Sequence, residues 1–243
     1  MICQYSLKVE MKKLVIFDLD DTIYPEQQYN LACYRAAADR FLEDYSVDIY
    51  PYIEEQFKKK NYQNLFCLAL ENAGIACSED YIFNVLVQTY RSFKPELTPY
   101  KGFNEYIEKL KEKFQLAIIT DGPLDIQKSK VNALGIASDF DLILCSSELG
   151  DNVKKPSSEP FEYVLSKLKV HHQDSVYIGD NIKKDFVYPN HSGMHSIHLS
   201  NKSENDNLIY ESQVGEAAHH YCESYDELYE LLMVLFEPRN SEE

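Results

Sequence analysis

Residues 12–22 read Lys-Lys-Leu-Val-Ile-Phe-Asp-Leu-Asp-Asp-Thr, and this stretch constrains the fold more than any other. Leu14 to Phe17 form an unbroken apolar, partly β-branched run with lysines before it and carboxylates after it. A half-solvated strand would alternate apolar and polar residues. An unbroken run is buried on both faces, as strands of parallel sheets are. Similar runs recur at residues 114–122, 140–147, 175–181 and 195–200. Helix-length segments alternate with them: 103–113, 125–134 closing at Gly135, 158–168, and 183 to about 191 closing at Gly193. The tail, 225–236, spaces Leu228, Leu231, Leu232 and Leu235 along one helical face. Strand alternating with helix predicts an α/β fold with a doubly wound, Rossmann-like parallel sheet.

Between the first two strands the alternation stops. Residues 25–97 carry no strand pattern and several helical ones. The longest, 26–45, puts Leu31, Tyr34, Ala38, Phe41 and Leu42 on one face; others cover about 52–60, 65–73 and 79–93. Pro25, Pro95 and Pro99 punctuate the two ends. The expected organisation is a core of 11–24 and 98–240, an inserted all-helical cap of 25–97, and an N-terminal extension of 1–10. The polar stretch 201–215 reads as a loop.

The chain carries 24 Lys+Arg against 40 Asp+Glu, a formal charge of −16 over 243 residues. That balance argues against nucleic-acid and anionic-membrane partners, whose phosphates would be repelled over most of the surface. A small anionic ligand needs only a local positive site. No apolar run approaches the roughly 18 residues of a membrane span, and the opening MICQYSLKVE lacks the apolar segment of a secretory signal. The six cysteines are scattered, without a C-x-x-C pair or a Cys/His cluster at zinc spacing, so reduced thiols and a cytoplasmic location are expected. The seven histidines show no metal-ligand spacing. His171, His172, His219 and His220 read as surface turns. The run Lys58-Lys59-Lys60 reads as a solvated face, and the 19 tyrosines as packing for the cap.

Chemistry gathers just past the carboxyl ends of the predicted strands. The first ends in Asp18, Asp20 and Thr22; the second in Thr120, Asp121 and Gly122. Lys154, Lys155 and Pro156 follow the third, and the fourth ends in Gly179, Asp180 and Asn181, with Asp185 a turn later. In a parallel sheet these ends share one edge, where ligands of open α/β folds bind. Two carboxylates about 4 Å apart repel by roughly 4 kcal/mol at an effective dielectric near 20. Three together call for protonation or a cation among them. Mg²⁺, held by one or two carboxylates with waters and a substrate phosphate, suits such a set, and a lysine opposite completes the charge pattern of phosphoryl transfer.

With Asp18-Leu19-Asp20-Asp21-Thr22, Thr120-Asp121-Gly122, Lys155-Pro156 and Gly179-Asp180 plus Asp185 in that order, each after a predicted strand, the sequence resembles the haloacid dehalogenase superfamily of phosphohydrolases, in the subgroup with a helical cap after the first core strand. The resemblance spans roughly residues 12–236. It implies Asp18 as the nucleophile that becomes an aspartyl-phosphate, and Asp20 as the acid and base. Thr120, with Asp121 and Gly122, would hold the phosphoryl oxygens, and Lys155 would neutralise nucleophile and phosphate. Asp18, Asp180 and the Asp20 backbone carbonyl would hold Mg²⁺, with Thr22, Asn181 and Asp185 in support. The chain departs from the family pattern at three places: Asp21 where Gly is frequent, Asp121 where Asn is commoner, and Lys184 where Asn is commoner. Lys155 rather than Lys154 is assigned because proline follows it.

The implied activity is hydrolysis of a small phosphorylated metabolite, either a nucleoside monophosphate or a sugar phosphate. A phosphosugar mutase, a phosphonate hydrolase using a cap lysine from 58–60, and a non-enzymatic binding module on the same fold remain alternatives. The sequence does not discriminate monomer from homodimer.

Overall fold

The computed structural model describes residues 12–200 and 215–236. The expected N-terminal extension of 1–10 and nearly all of the predicted 201–215 loop lie outside the described residues. The described chain divides into two compact units. One holds the sheet and takes in the chain up to Tyr24, Pro99–Gln127 and everything from Gly135 onward. The other comprises Pro25–Thr98 together with Lys128–Leu134.

In the first unit six strands form one sheet: β1 (Leu14–Phe17), β2 (Gln115–Thr120), β3 (Leu142–Cys145), β4 (Ser175–Gly179), β5 (His195–Leu199) and β6 (His220–Cys222). All neighbours run parallel in the order β3-β2-β1-β4-β5-β6. β1 is central, with Phe17 in register with Ile118 of β2 and Ile178 of β4. Successive side chains of a strand point to opposite faces. Leu14 and Ile16 join Ala117, Ile119 and Tyr177 against Phe161, Val164 and Leu165 of helix 159–168, while Val15 and Phe17 are fully buried too. Both faces are therefore covered, which accounts for the unbroken apolar run.

The helices of this unit also include 103–113 and 225–236, with the bounds their periodicity predicts. Two expectations are corrected. The helix expected from residue 183 begins at Val187 and ends at Ser192. Residues 181–185 instead form a turn: the Asn181 carbonyl accepts the N–H groups of Lys184 and Asp185, and its side-chain oxygen accepts that of Lys183. Side-chain competition for backbone donors keeps that stretch out of the helix. His220, expected in a surface turn, opens β6, whose three residues are too few to show a periodicity.

The second unit is helical: α1 (Glu26–Tyr45), α2 (Tyr50–Lys58), α3 (Leu65–Asn72), α4 (Glu79–Tyr81), a π-helical turn at Ile82–Leu86 and α5 (Val87–Ser92). Its core gathers Tyr34, Ala37, Ala38, Phe41, Ile49, Ile53, Leu65 and Phe66. Tyr34 meets the rings of Phe57, Phe66 and Tyr90, so tyrosines do pack this core. The buried stripe of α1 runs through Tyr29, Cys33, Tyr34, Ala37, Ala38 and Phe41; Leu42, expected on that face, lies on its exposed flank. Lys128–Leu134 was expected in the core, but its buried Lys130 places an ammonium 5.1 Å from the Tyr29 ring centre and 3.7 Å from Glu26. Lys58 and Lys59 are exposed and paired with Glu54 and Glu55 one turn earlier. Among the described residues no helix is long and apolar enough to cross a membrane.

Candidate active site

All six strands point their carboxyl ends to one edge, and the strand order reverses direction between β1 and β4, where open α/β sheets bind ligands. The Asp18 N–H donates to the Ile178 carbonyl at 2.8 Å, carrying the β1–β4 ladder one residue past the strand. Asp18 is thereby fixed at the switch point, and it is buried. Its Oδ1 accepts the Leu19 N–H at 2.8 Å and forms an ion pair with the Lys155 ammonium at 2.8 Å. The loop then turns sharply. Asp21 has φ +55°, Ile23 N–H returns to the Leu19 carbonyl, and Asp21 N–H meets the Tyr24 carbonyl. Left-handed backbone suits Gly, and Asp or Asn better than other side chains, which explains Asp at this position. The Tyr24 hydroxyl donates to Asp20 Oδ1 at 2.7 Å. Thr22 is buried, and its carbonyl accepts the Tyr225 hydroxyl.

At the end of β2, the Thr120 hydroxyl donates to Gln127 Oε1 at 3.1 Å, and Gln127 Nε2 donates to the Asp121 carbonyl at 3.0 Å. Gly122 has φ +140°, and a Cβ there would stand 2.5 Å from Gln127 Nε2. Asp121 Oδ1 accepts the Ser146 hydroxyl at 2.7 Å and the Lys155 N–H at 3.2 Å.

The structure separates the two adjacent lysines: Lys154 is exposed, and Lys155 is buried. The Lys155 ammonium donates to the Tyr177 hydroxyl at 2.6 Å and pairs with Asp18 Oδ1 and, at 2.9 Å, Asp185 Oδ1. Burial opposes its charge, but Asp18 and Asp185 overcome that and raise its pKa. Burial likewise opposes ionisation of Asp18, yet Lys155 and then Lys184 hold it below the usual carboxylate range.

Asp185 is buried, with Oδ2 accepting the Asn181 N–H at 2.9 Å. A Cβ on Gly179 would stand 2.5 Å from that same oxygen. Asp18, Asp180 and Asp185 each offer a carboxylate oxygen, all within 4.8 Å of one another. Burial, followed by the Asp18 and Asp185 charges, pushes the Asp180 carboxyl well above its ordinary range. The trio is thus short of positive charge. The Asp20 carboxylate is outside this trio and turned to Tyr24.

Four residues of the site carry no functional reading from sequence. Tyr177 sits inside an apolar strand run and reads as core; Ser146 and Gln127 read as ordinary polar residues. Lys184 registers only as a departure from pattern, yet its ammonium lies 3.9 Å from Asp18 Oδ2 and 3.8 Å from Asp121 Oδ2.

Residues 15–199 match the family model of haloacid dehalogenase-like hydrolases. A glyceraldehyde 3-phosphate phosphatase of Methanopyrus kandleri is 31% identical over 78% of this chain and 84% of its own length. A ribulose-1,5-bisphosphate 5-phosphatase of Halopiger xanaduensis is 28% identical over 81% and 88%. The fold also matches YfnB of Bacillus subtilis, solved with magnesium bound, at a TM-score of 0.64 and 20% identity, covering 92% of this chain and 99% of that one. With the family model spanning most of the sheet unit and curated phosphatases covering over three quarters of the sequence, this chain belongs to the haloacid dehalogenase-like hydrolases and is an enzyme of the phosphatase kind.

Proposed function

We propose that the enzyme removes phosphate from a small phosphorylated metabolite in a Mg²⁺-dependent reaction that passes through an aspartyl-phosphate. The observation that carries this reading is the buried Asp18 carboxylate, set between the Lys155 ammonium and the carboxylates of Asp180 and Asp185. The curated relatives are named for a triose phosphate and a sugar bisphosphate, which favours a sugar phosphate over a nucleoside monophosphate.

The donor set fits a hard divalent ion, since three carboxylate oxygens converge where one cation would relieve their repulsion. Asp18 and Asp180 would hold it with the Asp20 carbonyl, while Asp185 is committed to Lys155 and Asn181 and acts in support. When bound, the ion supplies neutralisation of phosphoryl charge.

The chain's own residues account for the rest. Lys155 keeps Asp18 ionised, as a carboxylate nucleophile must be. Among the described residues Asp18 Oδ2 accepts no hydrogen bond, which makes it the oxygen that attacks phosphorus. The P–O bond to the leaving group breaks as Asp20, held by Tyr24, gives that oxygen its proton. Asp20 then takes a proton from water, which attacks the phosphorus of the aspartyl-phosphate, freeing phosphate and restoring Asp18. The backbone amides of Asp121 and Gly122 hold phosphoryl oxygens beside Thr120, whose own proton is directed to Gln127. Cys33, Cys67, Cys77, Cys145 and Cys222 are free thiols, which supports a reducing, cytoplasmic setting.

Phosphate release from a panel of phosphomonoesters, with and without Mg²⁺, tests the reading. Release should require the ion and fall by roughly 10³-fold or more in Asp18→Asn. Undiminished release by that variant overturns the mechanism. Transfer of the phosphoryl group back to a sugar, seen by phosphorus NMR, would make the enzyme a mutase.

A further inference from the structure

Gln127, in the first turn of the helix Leu124–Leu134, reaches back to the end of β2 with both ends of its amide. A carbonyl oxygen can only accept, so Nε2 is the end that faces the Asp121 carbonyl, at 3.0 Å, and Oε1 is left for the Thr120 hydroxyl, at 3.1 Å. Gln127 is buried, so giving up either bond would strand a polar group away from water. The side chain also leaves the backbone no slack: a Cβ on Gly122 would meet Nε2 at 2.5 Å and Cδ at 3.3 Å.

The peptide joining Asp121 to Gly122 is trans and planar, so its N–H points opposite to its carbonyl. With that carbonyl tied to Gln127, the Gly122 N–H is turned to the other side of the loop. Among the described residues it donates to no protein acceptor. The next carbonyl, that of Gly122, is tied as well, accepting the Cys145 thiol at 3.2 Å. Both carbonyls are thus committed to protein donors, which keeps them from facing an anion.

We infer that Gln127 is the positioning residue of the phosphoryl site: by holding the Asp121 carbonyl it aims the Gly122 N–H at the transferring group, and by holding Thr120 it sets that hydroxyl beside the N–H. This rests on the phosphatase reading. Backbone donors fixed in advance are worth most where charge develops, because they need no reorganisation at the moment of reaction. Were the peptide free to flip, the Asp121 carbonyl would stand where the N–H belongs and would repel the phosphoryl oxygens.

Orthovanadate, which adopts the five-coordinate geometry of phosphorus in transfer, is the probe. It is titrated with Mg²⁺ into the full-length protein while the Gly122 amide is followed by proton–nitrogen NMR, and kcat/KM is measured alongside. In the wild type the Gly122 amide proton should move downfield as vanadate binds. Gln127→Met should lose that movement, and its kcat/KM and vanadate affinity should fall together by roughly 10- to 100-fold, less than the outright loss of an oxyanion donor. Gln127→Glu keeps an acceptor for Thr120 but sets a second oxygen against the Asp121 carbonyl, and should lose at least as much. A purely structural role would lower the Tm of both variants yet leave the Gly122 movement and vanadate affinity of the folded protein intact, and that result overturns the inference. So does wild-type behaviour in Gln127→Glu, or a wild type whose Gly122 amide ignores bound vanadate. A wild type that binds vanadate but hydrolyses no ester sinks the proposed function, while the Gly122 amide still decides the role of Gln127. A wild type that binds no vanadate overturns both.

Discussion

The Lys155 ammonium and the Asp185 carboxylate face each other at 2.9 Å, and neither side chain has any solvent exposure. One lysine after β3 is thus locked to the chain after β4 and, through Asp18, to the end of β1. The contact decides how the site's charges balance.

Removing that lysine leaves two buried carboxylates without the cation they share. Lys155→Met should cost about 3–5 kcal/mol of stability, the usual result of breaking one side of a buried pair. Adding Asp185→Asn removes one stranded charge and should recover part of the loss. Urea unfolding of the single and double variants measures both effects, and equal midpoints would show that the pair is not coupled.

Asp180 has its carboxyl pushed up by burial and by Asp18 and Asp185, so its ionised form opposes folding at neutral pH. Without divalent ions, Asp180→Asn should melt above the wild type. With Mg²⁺ at about 100 times its dissociation constant the wild type should gain about 2.7 kcal/mol, and the variant far less. Thermal melts with and without Mg²⁺ read this directly. The same Mg²⁺ shift in both proteins would remove Asp180 from the ion's ligands.

At the sheet edge, the rings of His195 and His220 lie 6.4 Å apart, and His219 is 6.5 Å from His220. Burial, followed by the neighbouring histidines, lowers the pKa of His195; His220 is lowered by burial and by His219. The unfolded chain therefore binds protons first as pH falls through the ordinary histidine range, so stability is full above that range and drops below it. Melting temperature should decline between pH 7.5 and 5.5. The decline should shrink in His195→Gln/His220→Gln; an identical slope in the double variant would assign it elsewhere.

Gly179 leaves no room for a side chain, because a Cβ would meet Asp185 Oδ2 at 2.5 Å and its Cβ at 3.0 Å. Gly179→Ala must displace Asp185 and loosen its hold on Lys155. A loss of roughly 1–3 kcal/mol, typical of overpacking, should come with a drop in kcat larger than any change in secondary structure. Circular dichroism and steady-state kinetics separate the two, and full activity would show that Asp185 tolerates the shift.

The sequence by itself determined the parallel α/β architecture, because strands buried on both faces leave unbroken apolar runs and long helices repeat their pattern over several turns. The ranges Leu14–Phe17, Glu26–Tyr45, Phe103–Lys113 and Tyr225–Phe236 follow from that alone. It also determined that Asp18, Thr120, Lys155 and Asp180 share one edge, since parallel strands end together. Tertiary structure alone decided what needed distance rather than order. β6 exists only through its pairing with β5. Lys128–Leu134 joins the helical unit through side chains remote in sequence. The choice between Lys154 and Lys155, the hydrogen bond of Lys155 to Tyr177 with its ion pairs to Asp18 and Asp185, and the approach of Lys184 to Asp121 all depend on where ammonium groups stop in space. A lysine's charge is legible from its letter; its hydrogen-bond partners are chosen by segments folded against it, and no local pattern records them.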